Sequence, residues 1–276
     1  MQPELFLVFD RADTEAKIAK KYRSCPDLRA SASGQFSADE LANILRVIPA
    51  ERQDIWILDL RQESHGFIDG LPVSWVTDRN IANLGKNALQ IEQTEKKLLQ
   101  DVAQQKTVTV YALKKLAGGK VAAEEPMVLV PESVETEQQL VAAFNAKYAR
   151  IYALDHNKPD DVEVDNFINF VKNKVKTNDW LHFHCRGGGG RSSTFIAMYD
   201  MLRNAQDITF IEIMQRQAQM GNIKLSEMPT TLNKIWKADA AQERYAFLCK
   251  FYAYVLDPEG FQTQNWSAWQ KLQARK

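Results

Sequence analysis

The sequence predicts an α/β protein, and three observations carry that prediction. Short apolar runs of strand character alternate with amphipathic runs of helical period along the chain. A capping-box pattern, Ser37-x-x-Glu40, opens one of the helical runs. Around residue 185 an apolar run, a glycine-rich loop and a helix-forming run follow one another directly, the layout of a strand feeding a helix. With 276 residues, 45% of them hydrophobic, the chain is long enough for one large core, or for one core plus a small appended domain.

Taken in order, Leu5 to Phe9 is a five-residue apolar run after an acidic residue. That is too short for a signal or membrane segment and predicts a strand. Behind Ser37, the residues Leu41, Ile44, Leu45 and Ile48 share one helix face. Ile55 to Leu60 predicts a buried strand. Thr107 to Ala112 alternates in the β manner, Gly118-Gly119 offers a turn, and Met127 to Val130 gives a further strand. Residues 67–135 are therefore expected to form a small β-rich insertion in a core made of 1–66 and 136–276. Pro159, Asp160 and Asp161 start a helix whose face is Val164, Phe167, Ile168, Val171 and Val175. Ser192 to Leu202 continues as the helix behind the glycine loop, and Phe247 to Leu256 forms an apolar C-terminal helix with Cys249 expected in its core. No internal repeat or transmembrane span is present, and three scattered cysteines (Cys25, Cys185, Cys249) are too few for a disulfide framework.

The glycine loop carries the chemistry. Residues 184–192 read His-Cys-Arg-Gly-Gly-Gly-Gly-Arg-Ser. A strand, a tight loop and a helix start point several backbone N–H groups at one spot, a socket for a phosphate dianion. Free cysteine is mostly thiol at neutral pH, but a helix N-terminus and nearby cations favour the thiolate. Cys185 has the helix start, His184, Arg186 and Arg191 beside it. Gly187, Gly188, Gly189 and Gly190 cost chain entropy unless the backbone needs positive φ or a close approach. Arg191 offers a planar fork for phosphoryl oxygens, and Ser192 can donate to the sulfur. His182 and His184 share one side of the strand without a third ligand nearby, so His182 is expected to be structural. Neither a metal nor a cofactor is implied.

Phosphoryl transfer also needs a proton donor for the leaving oxygen. Asp155, 30 positions before Cys185 at the end of an apolar run and ahead of Pro159, is the candidate, with a turn residue or helix cap as the alternative. Asp59, Arg61, Glu63, Ser64 and His65 are too polar for a strand end. They are expected to form a buried network that supports the loop or contacts substrate, or else a salt-bridged turn. With 35 basic and 35 acidic residues the formal charge is zero, so nothing steers a polyanion globally. Any preference for one must come from a local patch, with Arg23, Arg29, Lys158, Arg186 and Lys237 as candidates.

The His184-Cys185-x5-Arg191-Ser192 run resembles the signature of protein tyrosine phosphatases. Outside it, Arg29–Ser37, Asp59–Gly66 with Pro72–Trp75, Asp155-His156 with Pro159, and Lys250–Val255 through Trp269 are similar to the bacterial PTP-like phytases (cysteine phytases). The resemblance covers most of the chain, from about Arg23 to Trp269. It implies a phosphatase core, a central sheet flanked by helices, beside a small partial β-barrel. It implies stepwise removal of phosphates from myo-inositol polyphosphates through a phosphocysteine, with a phosphotyrosine-protein or phosphoinositide phosphatase as the alternative. Asp155 becomes the implied general acid and Arg23 and Lys237 the implied phosphate contacts, while His156, Lys158 and Asp59 are further candidate substrate contacts from the residues themselves. Arg186 departs from the family, in which an acidic residue often follows the cysteine. The implied partner is a polyanionic small molecule, not nucleic acid. The implied compartment is secreted or periplasmic with the leader trimmed; cytoplasmic residence or delivery into a host are the alternatives.

Overall fold

Eleven strands and eight helices of this computed structural model assemble as two sheets flanked by helices, with residues 5–10, 17–221, 223–231 and 234–275 described. In chain order the elements are β1 (Phe6–Phe9), β2 (Arg23–Cys25), β3 (Ala30–Ser33), α1 (Ala38–Val47), β4 (Ile55–Asp59), β5 (His65–Ile68) and β6 (Leu71–Val76). There follow α2 (Ala88–Ala103), β7 (Val108–Lys115), β8 (Val121–Leu129), β9 (Val134–Glu135), α3 (Glu137–Ala143) and β10 (Lys147–Arg150). The chain closes with α4 (Asp161–Asn173), β11 (Trp180–His184), α5 (Gly190–Asn204), α6 (Phe210–Gly221), α7 (Ala238–Leu256) and α8 (Trp266–Gln273).

One sheet has the order β10-β4-β11-β3-β2, with every pairing parallel except β2 against β3. Such a sheet must be covered on both faces, and the period-2 alternation of its strands shows how. On β11, Leu181, Phe183 and then Cys185 enter the large core that includes Phe195, Met198, Phe247, Phe251 and Trp266. Trp180 enters the opposite core, with Phe36, Leu41, Ile44, Ile57 and Leu140. His182 is held by the Ser31 and Ser33 hydroxyls, whose oxygens lie 2.9 Å from Nδ1 and 3.0 Å from Nε2, which makes it the structural residue expected.

The helices begin where their caps predict. Ser37 caps α1 in a two-way capping box with Glu40, and Asp160 does the same for α4 with Glu163. The faces Leu41/Ile44/Leu45 and Val164/Phe167/Ile168 are buried. Cys249 departs from expectation: it lies exposed on α7. An apolar sequence run around it does not decide which face of a helix points inward.

The second sheet has the order β8-β7-β1-β6-β5-β9, mixed in direction, with β1 parallel to β7 and antiparallel to β6. The resemblance implied a partial barrel; the structure shows a six-stranded sheet ending at β8 and β9. It is not confined to the 67–135 segment, since β1, from before that segment, is one of its two central strands. That segment also contributes α2, which buries Leu99 and Val102 against Ile68, Val73, Trp75 and Val110. No helix among the described residues is long and apolar enough to cross a membrane.

Candidate active site

The parallel strands β3, β4 and β11 end at one edge, and the 185–189 loop rises from that edge into α5. This explains why Cys185 is set at the floor: it continues β11, is 3% exposed and adjoins the large core. No side chain caps α5, so its first N–H groups are left for the loop to aim. The Ser192 hydroxyl lies 3.1 Å from Cys185 Sγ, in place to donate to the sulfur.

The four glycines serve different ends. Gly188 has φ +65°, and a Cβ there would lie 2.4 Å from the Gly34 backbone nitrogen, so the protein itself requires glycine at that position. A Cβ at Gly187 would meet nothing within 4 Å, whereas at Gly189 and Gly190 it would approach Lys21 and Arg244. Arg23, expected as a substrate contact, holds the loop from behind. It donates to the Gly188 carbonyl at 2.9 Å and to the Ser193 hydroxyl at 2.9 Å. Burial lowers its pKa to about 10, while the neighbouring Cys185 opposes that shift.

Arg191 is fully engaged on one side and open on the other. Its Nη1 donates to the Leu60 and Ala153 carbonyls, and Nη1 and Nη2 meet the two Glu63 carboxylate oxygens at 2.6 and 2.8 Å. Nη2 also lies 3.3 Å from Asp155 Oδ1. Nε is buried and has no partner among the described residues, which leaves that edge of the fork for a phosphoryl oxygen.

Asp155 follows the short run Ile151–Leu154 out of the sheet and is 21% exposed, hence reachable from solvent. Asn80 donates to it at 3.3 Å, and its own carboxylate accepts the His156 N–H at 3.0 Å. Burial alone would raise its pKa; Arg191, then His156, overcome this and hold it below the ordinary aspartate value. His156 has φ +69°, lies edge-on to Trp236 and is pushed down to about 4, mainly by burial, so it is neutral.

Beneath the loop, the polar run that ends β4 and follows it forms a buried network. Asp59 accepts from the Arg61 N–H, from the Tyr148 hydroxyl at 2.9 Å and from Arg150 at 3.0 Å. Arg61 binds Asp10, Glu63, Gln35 and Ser74, and Asp10 in turn pairs with Arg186 at 2.7 Å. Ser64 accepts from Asn83, and His65 lies 3.3 Å from both Asp59 and Glu137. Asp59, Glu137 and His184 bring ligand-type atoms within 4.8 Å of one another, a donor set that also suits a cation. Here guanidinium, amide and hydroxyl donors already engage the carboxylates of that cluster.

The pKa values of Glu63 and Glu137 are depressed well below the ordinary 4.5: burial opposes this, and Arg191 and His184 respectively outweigh it. A group depressed on folding contributes stability above its unfolded pKa and loses it as pH falls toward the folded value. The melting temperature should therefore change little with these groups above about pH 5 and drop steadily below about pH 4.5. A melting temperature that is flat down to pH 3 would contradict the network.

Of the expected cations, Arg186 and Lys237 lie at the cleft, whereas Lys158 is exposed on the loop after Asp155. Arg29 binds the Asn178 carbonyl at the far end of β3, away from the loop. Sequence reasoning missed Lys21, Lys115 and Arg244, whose charges are felt at Cys185, at Asp155 and at both, respectively. It also missed Gln35, Glu137, Asn80 and Trp236. Apart from Gln35, which lies in the Arg29–Ser37 run, none of these stands in a motif; only the folded chain brings them to the loop.

A cysteine at the end of a parallel strand, an arginine fork and an aspartate at the rim together have the layout of a cysteine-dependent phosphatase site. Residues 58–203 match the PTP-like phytase family, described as "Inositol hexakisphosphate", and the chain belongs to that family. The PTP-like myo-inositol phosphatase from Mitsuokella multacida, solved with myo-inositol-(1,3,4,5)-tetrakisphosphate, is 31% identical over 99% of this chain and 48% of that chain, with a TM-score of 0.89. A PTP-like phytase from Bdellovibrio bacteriovorus is 34% identical over 98% of this chain and 96% of that one, with a TM-score of 0.80. The effector protein hopD2 of Pseudomonas syringae pv. tomato is 26% identical over 214 residues, 77% of this chain and 45% of that protein. The chain thus spans about half the length of hopD2 and of the Mitsuokella protein.

Proposed function

We propose that this protein removes phosphates stepwise from myo-inositol polyphosphates, phytate first, through a phosphocysteine intermediate. The observation that carries this reading is the crowding of cations around one loop. Burial lowers the pKa of Lys237, Asp155 opposes it, and Lys115, Lys234 and Arg244 add to the lowering. Lys21, Arg186 and Arg244 ring the loop itself. Like charges held this close cost energy in the empty cleft, and a substrate carrying several phosphates relieves that cost. A single phosphotyrosine does so far less. The inositol tetrakisphosphate bound by the Mitsuokella relative supports the same substrate class.

In the proposed reaction, Cys185 Sγ attacks phosphorus while the P–O bond to the inositol breaks. Arg191 Nε and the α5 N–H groups hold the equatorial oxygens of the transferring group. Asp155 gives its proton to the leaving alkoxide. In the free cleft Arg191 keeps Asp155 ionised; a phosphoryl dianion beside Arg191 offsets that attraction and lets Asp155 take up the proton it must deliver. Asp155 then removes a proton from water, which attacks the phosphocysteine and frees inorganic phosphate with the thiolate restored. Likeness to an effector protein supports action outside the producing cell.

The test is phosphate release from phytate against release from a phosphotyrosyl peptide or a phosphoinositide. The expected outcome is a kcat/KM for phytate at least about 100-fold higher, the scale of two or three extra charge-assisted contacts. A preference for the peptide or the lipid headgroup would overturn the substrate assignment.

A further inference from the structure

We propose that Glu137 is a positioning residue for the phosphoryl-transfer site, tying both ends of the 185–191 loop together through one continuous buried chain. The inference rests on the reaction proposed above. Its starting point is His184, the residue before the nucleophile. The His184 side chain is fully buried, and its Nε2 lies 2.6 Å from Glu137 Oε1. The other oxygen of Glu137 accepts from Gln35 Nε2 at 2.9 Å. Gln35 Oε1 accepts from Arg61 Nη1 at 2.5 Å, and Arg61 Nε donates to Glu63 at 2.9 Å. Glu63 then grips Arg191, in the first turn of α5 at the far end of the loop, at 2.6 and 2.8 Å. The Gln35 backbone N–H also donates to the Arg186 carbonyl at 3.2 Å, a third hold on the loop.

Every side chain in this chain of contacts is buried. Buried ionic chains add little stability over apolar packing of the same volume. What this one fixes is geometry, because Glu137, Gln35, Arg61 and Glu63 each have a partner on both sides, the His184–Glu137 link being an ion-pair contact. Glu137 links α3 to His184, so its carboxylate transmits the position of one end of the loop to the other. The sulfur follows the His184 backbone, and the guanidinium follows Glu63. In-line attack depends on the spacing of those two groups.

The test uses the full chain with Glu137→Gln, which keeps shape and removes the charge, and Gln35→Met, which breaks the next link. With phytate as substrate, Glu137→Gln should lower kcat about 10- to 100-fold, the usual effect of losing a group that orients a reacting one, with KM changed less than about threefold. Alkylation of Cys185 by iodoacetamide at pH 7, read by peptide mass, should slow in both variants. The double variant should be no worse than the worse single one, since both cut one chain. A folded Glu137→Gln protein with parental kcat and alkylation rate overturns the proposal, as do fully additive effects in the double variant. If Glu137→Gln does not fold, Gln35→Met decides alone, and parental behaviour overturns the proposal. If the parent releases no phosphate from any ester, the proposed reaction falls, while the alkylation rates still test the link.

Discussion

Replacing Cys185 by serine is expected to abolish phosphate release, with kcat falling by about 10⁵-fold, the range seen when a covalent nucleophile is removed. The substitution changes one atom in a residue that is 3% exposed, so the fold should be retained. The reason for the loss is electronic. A thiol reaches its anion under a helix N-terminus and neighbouring cations, whereas a serine hydroxyl remains protonated without an adjacent base. Neither histidine of the strand before Cys185 can play that base: His182 faces Ser31 and Ser33, and His184 faces Glu137. Ser192, 3.1 Å from the sulfur, would instead hydrogen-bond a neutral hydroxyl. Rapid quenching of the parent should trap a phosphorylated Cys185 peptide that the serine protein never forms. A serine variant within about tenfold of the parental kcat would show that another group attacks phosphorus.

Arg191→Lys is the second large effect, an expected loss of about 10³-fold in kcat despite the retained charge. Arg191 has to do two things at once. Nη1 and Nη2 hold Glu63 and two backbone carbonyls, and the unpartnered Nε remains for the phosphoryl group. A lysine has one ammonium and no fixed fork, so it satisfies Glu63 or the substrate but not both. If it turns to Glu63, transition-state charge goes unanswered; if it turns to substrate, Glu63 is left as an unpaired buried charge. Steady-state kinetics together with thermal unfolding separate the two cases. A lysine variant retaining more than about a tenth of the parental kcat would mean that the loop amides alone carry the charge.

Much of the site was legible because its signals are local. A strand followed by Cys185, four glycines and Arg191 is a contiguous pattern, and chain continuity alone forces strand, loop and helix into one socket. The caps at Ser37 and Asp160 are likewise read within four residues and found in place. Asp155 was singled out because a strand exit before a proline is also a local feature. What failed to read locally was orientation around a helix. Cys249 stands in an apolar run yet faces solvent, and Arg244 stands on the same helix yet reaches the loop. Helix α2 went unseen because its segment was read from its two strands and its glycine turn.

The sequence by itself determined the chemistry. A nucleophile, an arginine fork and a phosphate socket are covalently adjacent, and no rearrangement of the rest of the chain could separate them. Tertiary structure alone decided the partners. Glu137 reaches His184, Glu63 reaches Arg191 and Asn80 reaches Asp155 only because sheet pairing brings distant segments to one edge. Charges along a sequence carry no direction, and a side chain's role in a buried network depends on which neighbours exclude water from it. That is why Arg23 serves as a brace and Arg29 lies at the far end of its strand, although the sequence presented both as candidate phosphate contacts.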